Sequence, residues 1–132
     1  MNVKQKLSPD IAHRRAARDR LRAREQQRSR EDAERQSRAA MDARAIVEML
    51  AANYKPRRIY QWGSVLKPDG FRAYSDLDIA VEGVTDAESF FRMLGEAQAM
   101  TSFDLHLVQM EKIAPEYAED IRRHGKVVYE RP

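Results

Sequence analysis

"IYQWGSVLKPDGFRAYSDLDIAVEG", residues 59–83, decides how this chain is read. One apolar run ends in Gly63-Ser64, and the next opens on Asp76-Leu77-Asp78. Aspartate is a poor strand former, so two of them at the mouth of an apolar strand need a reason. Strand alternation puts Asp76 and Asp78 on one side and Leu77, Ile79 and Val81 on the other, toward a core. Left alone, two neighbouring carboxylates repel and one takes up a proton. A divalent cation removes that cost, and oxygen ligands are what Mg²⁺ prefers.

Working outward, "RRIYQW" reads as a strand closed by Gly63 and "LDIAVEG" as a second strand. "TDAESFFRMLGEAQAM" reads as a helix from a Thr85 cap, with Glu88 in the capping-box position. "SFDLHLV" is a third strand, "EKIAPEYAEDIRRHG" a helix with Pro115 in its first turn and Gly125 at its end, and "KVVYE" a fourth strand. The order α-β-β-α-β-α-β predicts an α+β fold, a mixed sheet with at most one helix on each face.

The third strand places Phe103, Leu105 and Leu107 on one face and Asp104 and His106 on the other. Beside the second strand, Asp104 would complete a three-carboxylate cluster able to hold two Mg²⁺ ions, the arrangement used for in-line displacement at phosphorus. Gly63 and Ser64 suit the opposite wall, because a glycine lets backbone N–H groups approach a phosphate and a hydroxyl can donate to one. The chain has neither G-x-x-x-x-G-K-[ST] nor G-x-G-x-x-G, which excludes a Walker phosphate loop and a dinucleotide fingerprint. His106 reads as pocket lining rather than a ligand, Trp62 and Phe103 as core, and Tyr60 as either. His13 and His124 read as helix-surface residues.

The remainder of the chain divides by charge. Its 132 residues are 42% hydrophobic and 34% charged, suiting one soluble domain, and the net charge of +3 conceals two regions. Residues 1–44 carry 13 basic against 7 acidic side chains, a net +6, and residues 45–132 carry 11 against 14, a net −3. No apolar run approaches a membrane span and no apolar stretch follows the basic N-terminus, so a cytoplasmic protein is expected. The lack of cysteine removes disulfides, thiolate metal sites and a thiol nucleophile.

From Ser8 to Leu50 there is no Gly, and Pro9 sits where a first helical turn tolerates it, behind a Ser8 cap. A long helix follows, ending before Pro56, with favourable i,i+4 pairs such as Glu31 with Arg35 and Glu34 with Arg38. Met41, Ala45, Ile46, Met49 and Leu50 have helical spacing and are expected to pack on the domain. The organisation is therefore a basic helical arm over 1–44 and a compact domain over 45–132. The arm suits a solvated helix or a protein partner better than nucleic acid, since acids dilute its charge and no aromatics are interleaved for stacking.

W-G-S at 62–64, S-D-L-D-I at 75–79 and F-D-L-H-L at 103–107, in that order, resemble the nucleotidyltransferase superfamily of the DNA polymerase β type, in particular its minimal members. "IRRHGKVVYE" is similar to their C-terminal ending. The resemblance covers about residues 45–130. It implies transfer of a nucleoside monophosphate from an NTP with release of pyrophosphate, ATP being the substrate and two Mg²⁺ the cofactors. Asp76 and Asp78 would be metal ligands, and Asp104 a third ligand and base for the acceptor hydroxyl. Gly63, Ser64 and Ser75 would hold the nucleotide, with Lys67 and Arg72 as available cations, since the Arg that many relatives carry after the Ser is replaced by Val65 and Leu66. Minimal members resemble antitoxins that bind a HEPN-type RNase toxin and adenylylate a tyrosine on it, the partner and activity expected here. A stand-alone enzyme acting on a small hydroxylated molecule and a non-catalytic partner-binding module remain alternatives.

Overall fold

The computed structural model describes residues 8–63 and 76–132. Seven elements follow one another: α1 (Pro9–Tyr54), β1 (Arg58–Trp62), β2 (Leu77–Glu82), α2 (Ala87–Gln98), β3 (Leu105–Gln109), α3 (Pro115–His124) and β4 (Lys126–Glu130). The helix α1 starts where its sequence says, with the Ile11 N–H donating to Ser8 Oγ at 3.2 Å and Asp10 in the first turn. It stops at Lys55, a left-handed residue at φ 47° that turns the chain into Pro56.

The four strands form one sheet in the order β3-β2-β1-β4, with β1 antiparallel to both neighbours and β2 parallel to β3. The parallel pair requires a crossover, and α2 supplies it. Two helices share one face, correcting the expectation of one per face. On that side Ile46 and Leu50 of α1, Met93 of α2 and Ile59, Leu77 and Ile79 of the sheet are fully buried in one cluster. Each such side chain contributes about 1.5–3 kcal/mol through water exclusion. Among the described residues the opposite face carries α3, with Ala118 and Ile121 packed on Tyr60, Ala80 and Val108.

The buried stripe of α1 runs through Ala39, Ala43, Ile46, Val47 and Leu50. Met41 and Ala45, expected inside, are exposed. Asp42 faces the domain and accepts from Thr101 Oγ1 at 2.7 Å, tying α1 to the turn after α2. The predicted pairs of Glu31 with Arg35 and Glu34 with Arg38 do not form. Arg35 reaches Asp32 at 2.9 Å and Glu31 accepts from Gln27. At α2 the cap is Asp86 rather than Thr85, because the Asp86 carboxylate accepts the Ser89 N–H at 2.9 Å, leaving Glu88 in the first turn. Those bonds hold the Asp86 carboxyl below the usual carboxylate range. No helix among the described residues is long and apolar enough to cross a membrane.

At one end of β2, Glu82 is buried beneath arginines. Arg58 approaches it at 3.3 Å and Arg122 of α3 at 3.2 Å, while Arg58 also pairs with Glu130 of β4. Strand register thus joins β1, β2, β4 and α3 by charge as well as by backbone.

Candidate active site

At the other end of β2 the sheet presents a row of three side chains. Trp62 lies opposite Asp78 across the antiparallel pair, and Asp78 lies opposite His106 across the parallel pair. All three therefore point to the face that carries α3, one row beyond its core residues Tyr60, Ala80 and Val108. His106 Nδ1 stands 3.3 Å from Asp78 Oδ1. The Trp62 ring meets His106 edge-on at 5.8 Å and Tyr117 of α3 at 6.1 Å. Trp62 is thus half-buried, packing against the core cluster of this face while also forming a wall of the site.

Gly63 follows Trp62 with φ +83°, a conformation that side chains rarely adopt. A Cβ there would also collide with Asp78 Oδ2, so the glycine is fixed both by its backbone and by the carboxylate lying against it. The strand alternation foreseen for β2 holds, since Leu77, Ile79 and Val81 enter the core and Asp78 does not. Burial pushes the Asp78 carboxyl above the ordinary carboxylate range; the contact with His106 opposes this, and the nearby charge of Asp76 adds to it.

β3 is the neighbour of β2, the condition on which a role for Asp104 depended. The Leu77 N–H donates to the Asp104 carbonyl at 2.8 Å, which brings the exposed Asp104 beside the entry to β2, next to Asp76. Among the described residues, no group of three or more His, Cys, Asp or Glu converges closely enough to hold a metal ion. What they present is the Asp76 and Asp78 pair, with Asp104 at the head of the adjacent strand. The donor set fits a hard divalent cation, being carboxylate oxygens, one of which is destabilised as an anion both by burial and by its acidic neighbour. Ser64, Lys67, Arg72 and Ser75, the other nucleotide-binding candidates, lie outside the described residues.

Trp62 and Tyr117 are the site residues that sequence reasoning missed. Period-two alternation places Trp62 on one face or the other but does not say which residue of β2 stands opposite it. That knowledge comes only with the register.

A family model described as polymerase beta, nucleotidyltransferase, matches residues 44–132. No curated protein sequence matches the chain significantly. Among solved structures, a chain of the toxin–antitoxin MntA–HepT is similar at a TM-score of 0.53 and 20% identity, covering 69% of this chain and 72% of that one. A toxin–antitoxin with AMP-PNP gives 0.57 and 23%, covering 67% and 73%. The complex of a tri-AMPylated Shewanella oneidensis HEPN toxin with its MNT antitoxin gives 0.53 and 21%, covering 70% and 72%.

Proposed function

Because this chain belongs to the polymerase β nucleotidyltransferase family, we propose that it is an antitoxin that transfers AMP from ATP to a tyrosine of a cognate HEPN-type toxin. The observation that carries the chemistry is the Asp78 carboxylate, half-buried, pressed against the Gly63 backbone and raised in pKa, with Asp76 beside it. A site that destabilises its own negative charge is built to receive a cation. Support for ATP and for a HEPN partner comes from the likeness to the AMP-PNP complex and to the AMPylated toxin complex.

In this reading Asp76 and Asp78 would hold Mg²⁺, and Asp104, which stands at the head of β3 and does not converge with them here, would complete a two-ion site once metal and nucleotide bind. When bound, these ions neutralise the triphosphate and the departing pyrophosphate. Gly63 and Ser64 present donors to the phosphates, with Ser75, Lys67 and Arg72 binding the remainder of the nucleotide. The tyrosine oxygen attacks the α-phosphorus in line, the bond from that phosphorus to the bridging oxygen breaks, and pyrophosphate leaves with the electron pair. Asp104 accepts the phenolic proton. Positioning and charge stabilisation carry the rate, as is usual for phosphoryl chemistry.

Intact-mass spectrometry of the co-expressed partner after incubation with ATP and Mg²⁺ tests the reading. An AMP-sized increment that disappears with Asp78→Asn is expected. A partner that stays unmodified yet inhibited in a stable complex would replace it with a non-catalytic binding module.

A further inference from the structure

The part of α1 that leaves the domain is far more cationic than the arm as a whole. Of the seven acids in residues 1–44, four lie at position 31 or later. There Asp32 is partly covered and paired with Arg35, and Asp42 is bonded to Thr101. Residues 14–30 retain eight arginines against Asp19 and Glu25, a net +6 within 17 residues. Every residue from Pro9 to Glu31 is exposed except the half-buried Ala17. Among the described residues, Arg14 has an acidic partner, Asp10 at 3.4 Å, while Arg18, Arg20, Arg22, Arg24 and Arg28 have none.

Their placement is ordered. Arg14, Arg18 and Arg22 form one i,i+4 row and Arg20, Arg24 and Arg28 another. At 100° per residue the two rows lie about 120° apart around the helix and extend over about 21 Å. A flat anionic surface would touch one row and leave the other in water. A groove with charged walls on both sides touches both. The B-DNA major groove is about 12 Å wide and accepts a helix of about 10–12 Å diameter, with phosphates along each rim. The helix uses eleven arginines and no lysine, whereas residues 55–132 use seven and four. Arginine's planar fork is the better bidentate match to phosphate.

Other anionic partners fit less well. Residues 9–53 contain no Phe, Tyr or Trp, so the large rings on which successive unpaired bases stack are missing. A-form RNA has a major groove too deep and narrow for this approach. A lipid surface needs an apolar face, and Ile11 and Leu21 are the only large apolar residues of the projecting part. We propose that residues 9–31 of α1 form a DNA-binding helix that lies in the major groove of a duplex, one arginine row directed to each phosphate backbone.

Fluorescence anisotropy of the full chain with a labelled 20-bp duplex of arbitrary sequence, titrated across salt concentrations, provides the test. With both rows engaged, log affinity should fall against log salt with a slope of about −5. Replacing Arg14, Arg18 and Arg22 together by Gln, or Arg20, Arg24 and Arg28 together by Gln, should each remove about half of that slope, with helicity by circular dichroism unchanged. Lysine at the same positions should restore the slope, separating loss of charge from loss of helix. Absence of binding at about 50 mM salt, the low end of the range in which such contacts are strong, would overturn the proposal. So would equal affinity for the single strand or for polyglutamate, or dependence on one row only.

Discussion

Asp78 and Glu82 stand four residues apart on the same face of β2, both acidic and both largely withdrawn from water, with 18% and 10% of their side chains exposed. Glu82 lies under two guanidinium groups, each within 3.3 Å. Asp78 has His106 on one side and, in Asp76, a second negative charge close by. One carboxylate is satisfied by the fold and therefore holds it together. The other is left short of positive charge, and that deficit is what a metal–nucleotide complex can fill. A glycine accompanies each end: Gly63 against Asp78, and Gly83, at φ +97°, against the backbone of Arg57.

The largest separation between the two ends should appear in catalysis. Asp78→Asn or Asp76→Asn is expected to lower nucleotidyl transfer at least about 10³-fold, about 4 kcal/mol of transition-state stabilisation, without unfolding the chain. Single-turnover rates at saturating ATP and Mg²⁺ measure this, and wild-type rates would remove the distinction between the two carboxylates. Glu82→Gln should do the reverse. With Arg58 and Arg122 left without their shared partner, about 2 kcal/mol of stability is lost in denaturant titration, while transfer continues.

The glycines sharpen the same contrast. Gly83→Ala forces a methyl group against the Arg57 backbone and should cost about 1–3 kcal/mol with little change in rate once folded. In Gly63→Ala the obstruction is the Asp78 carboxylate itself, so a similar loss of stability should be accompanied by a clear loss of transfer. Equal rates in the two variants would show that the Gly63 contact has no bearing on chemistry.

The smallest effect is a gain. The Asp78 pKa is raised in the folded state, so folding favours its protonated form, and ionisation works against the fold. That penalty is absent in acid and appears as pH rises through the carboxylate range. Asp78→Asn should therefore be more stable than wild type at pH 7 by less than about 1 kcal/mol, with the difference vanishing below about pH 4. Thermal unfolding of both proteins across that range checks the sign.

Much of this is legible in the amino-acid sequence. The D-x-D at the head of an apolar strand, the glycine after Trp62, the Ser8 cap and the Pro115 to Gly125 helix all follow from local chemistry, which the tertiary structure did not override. What stayed hidden depended on partners remote in sequence. Ala39 and Ala43 are buried while Ala45 is exposed, and nothing in an alanine reveals which side of a helix will meet a sheet. The choice between Thr85 and Asp86 as cap turned on which side chain could reach an amide three residues on. The row of Trp62, Asp78 and His106 required the register of two separate strand pairings, one of them parallel and closed only by α2.

The continuity of α1 has a consequence for how such a chain can change length. Between Asp10 and Tyr54 there is neither glycine nor proline, so the segment under the sheet and the segment in solvent share one helical phase. A single residue inserted near Gln36 would turn everything before it by about 100° and displace it by about 1.5 Å, re-aiming the outer surface while altering none of its composition. Insertions of about seven residues, two near-complete turns, would restore the original bearing to within about 20°. The helix behaves as an indexed shaft, in which spacing and direction are set together by residue count.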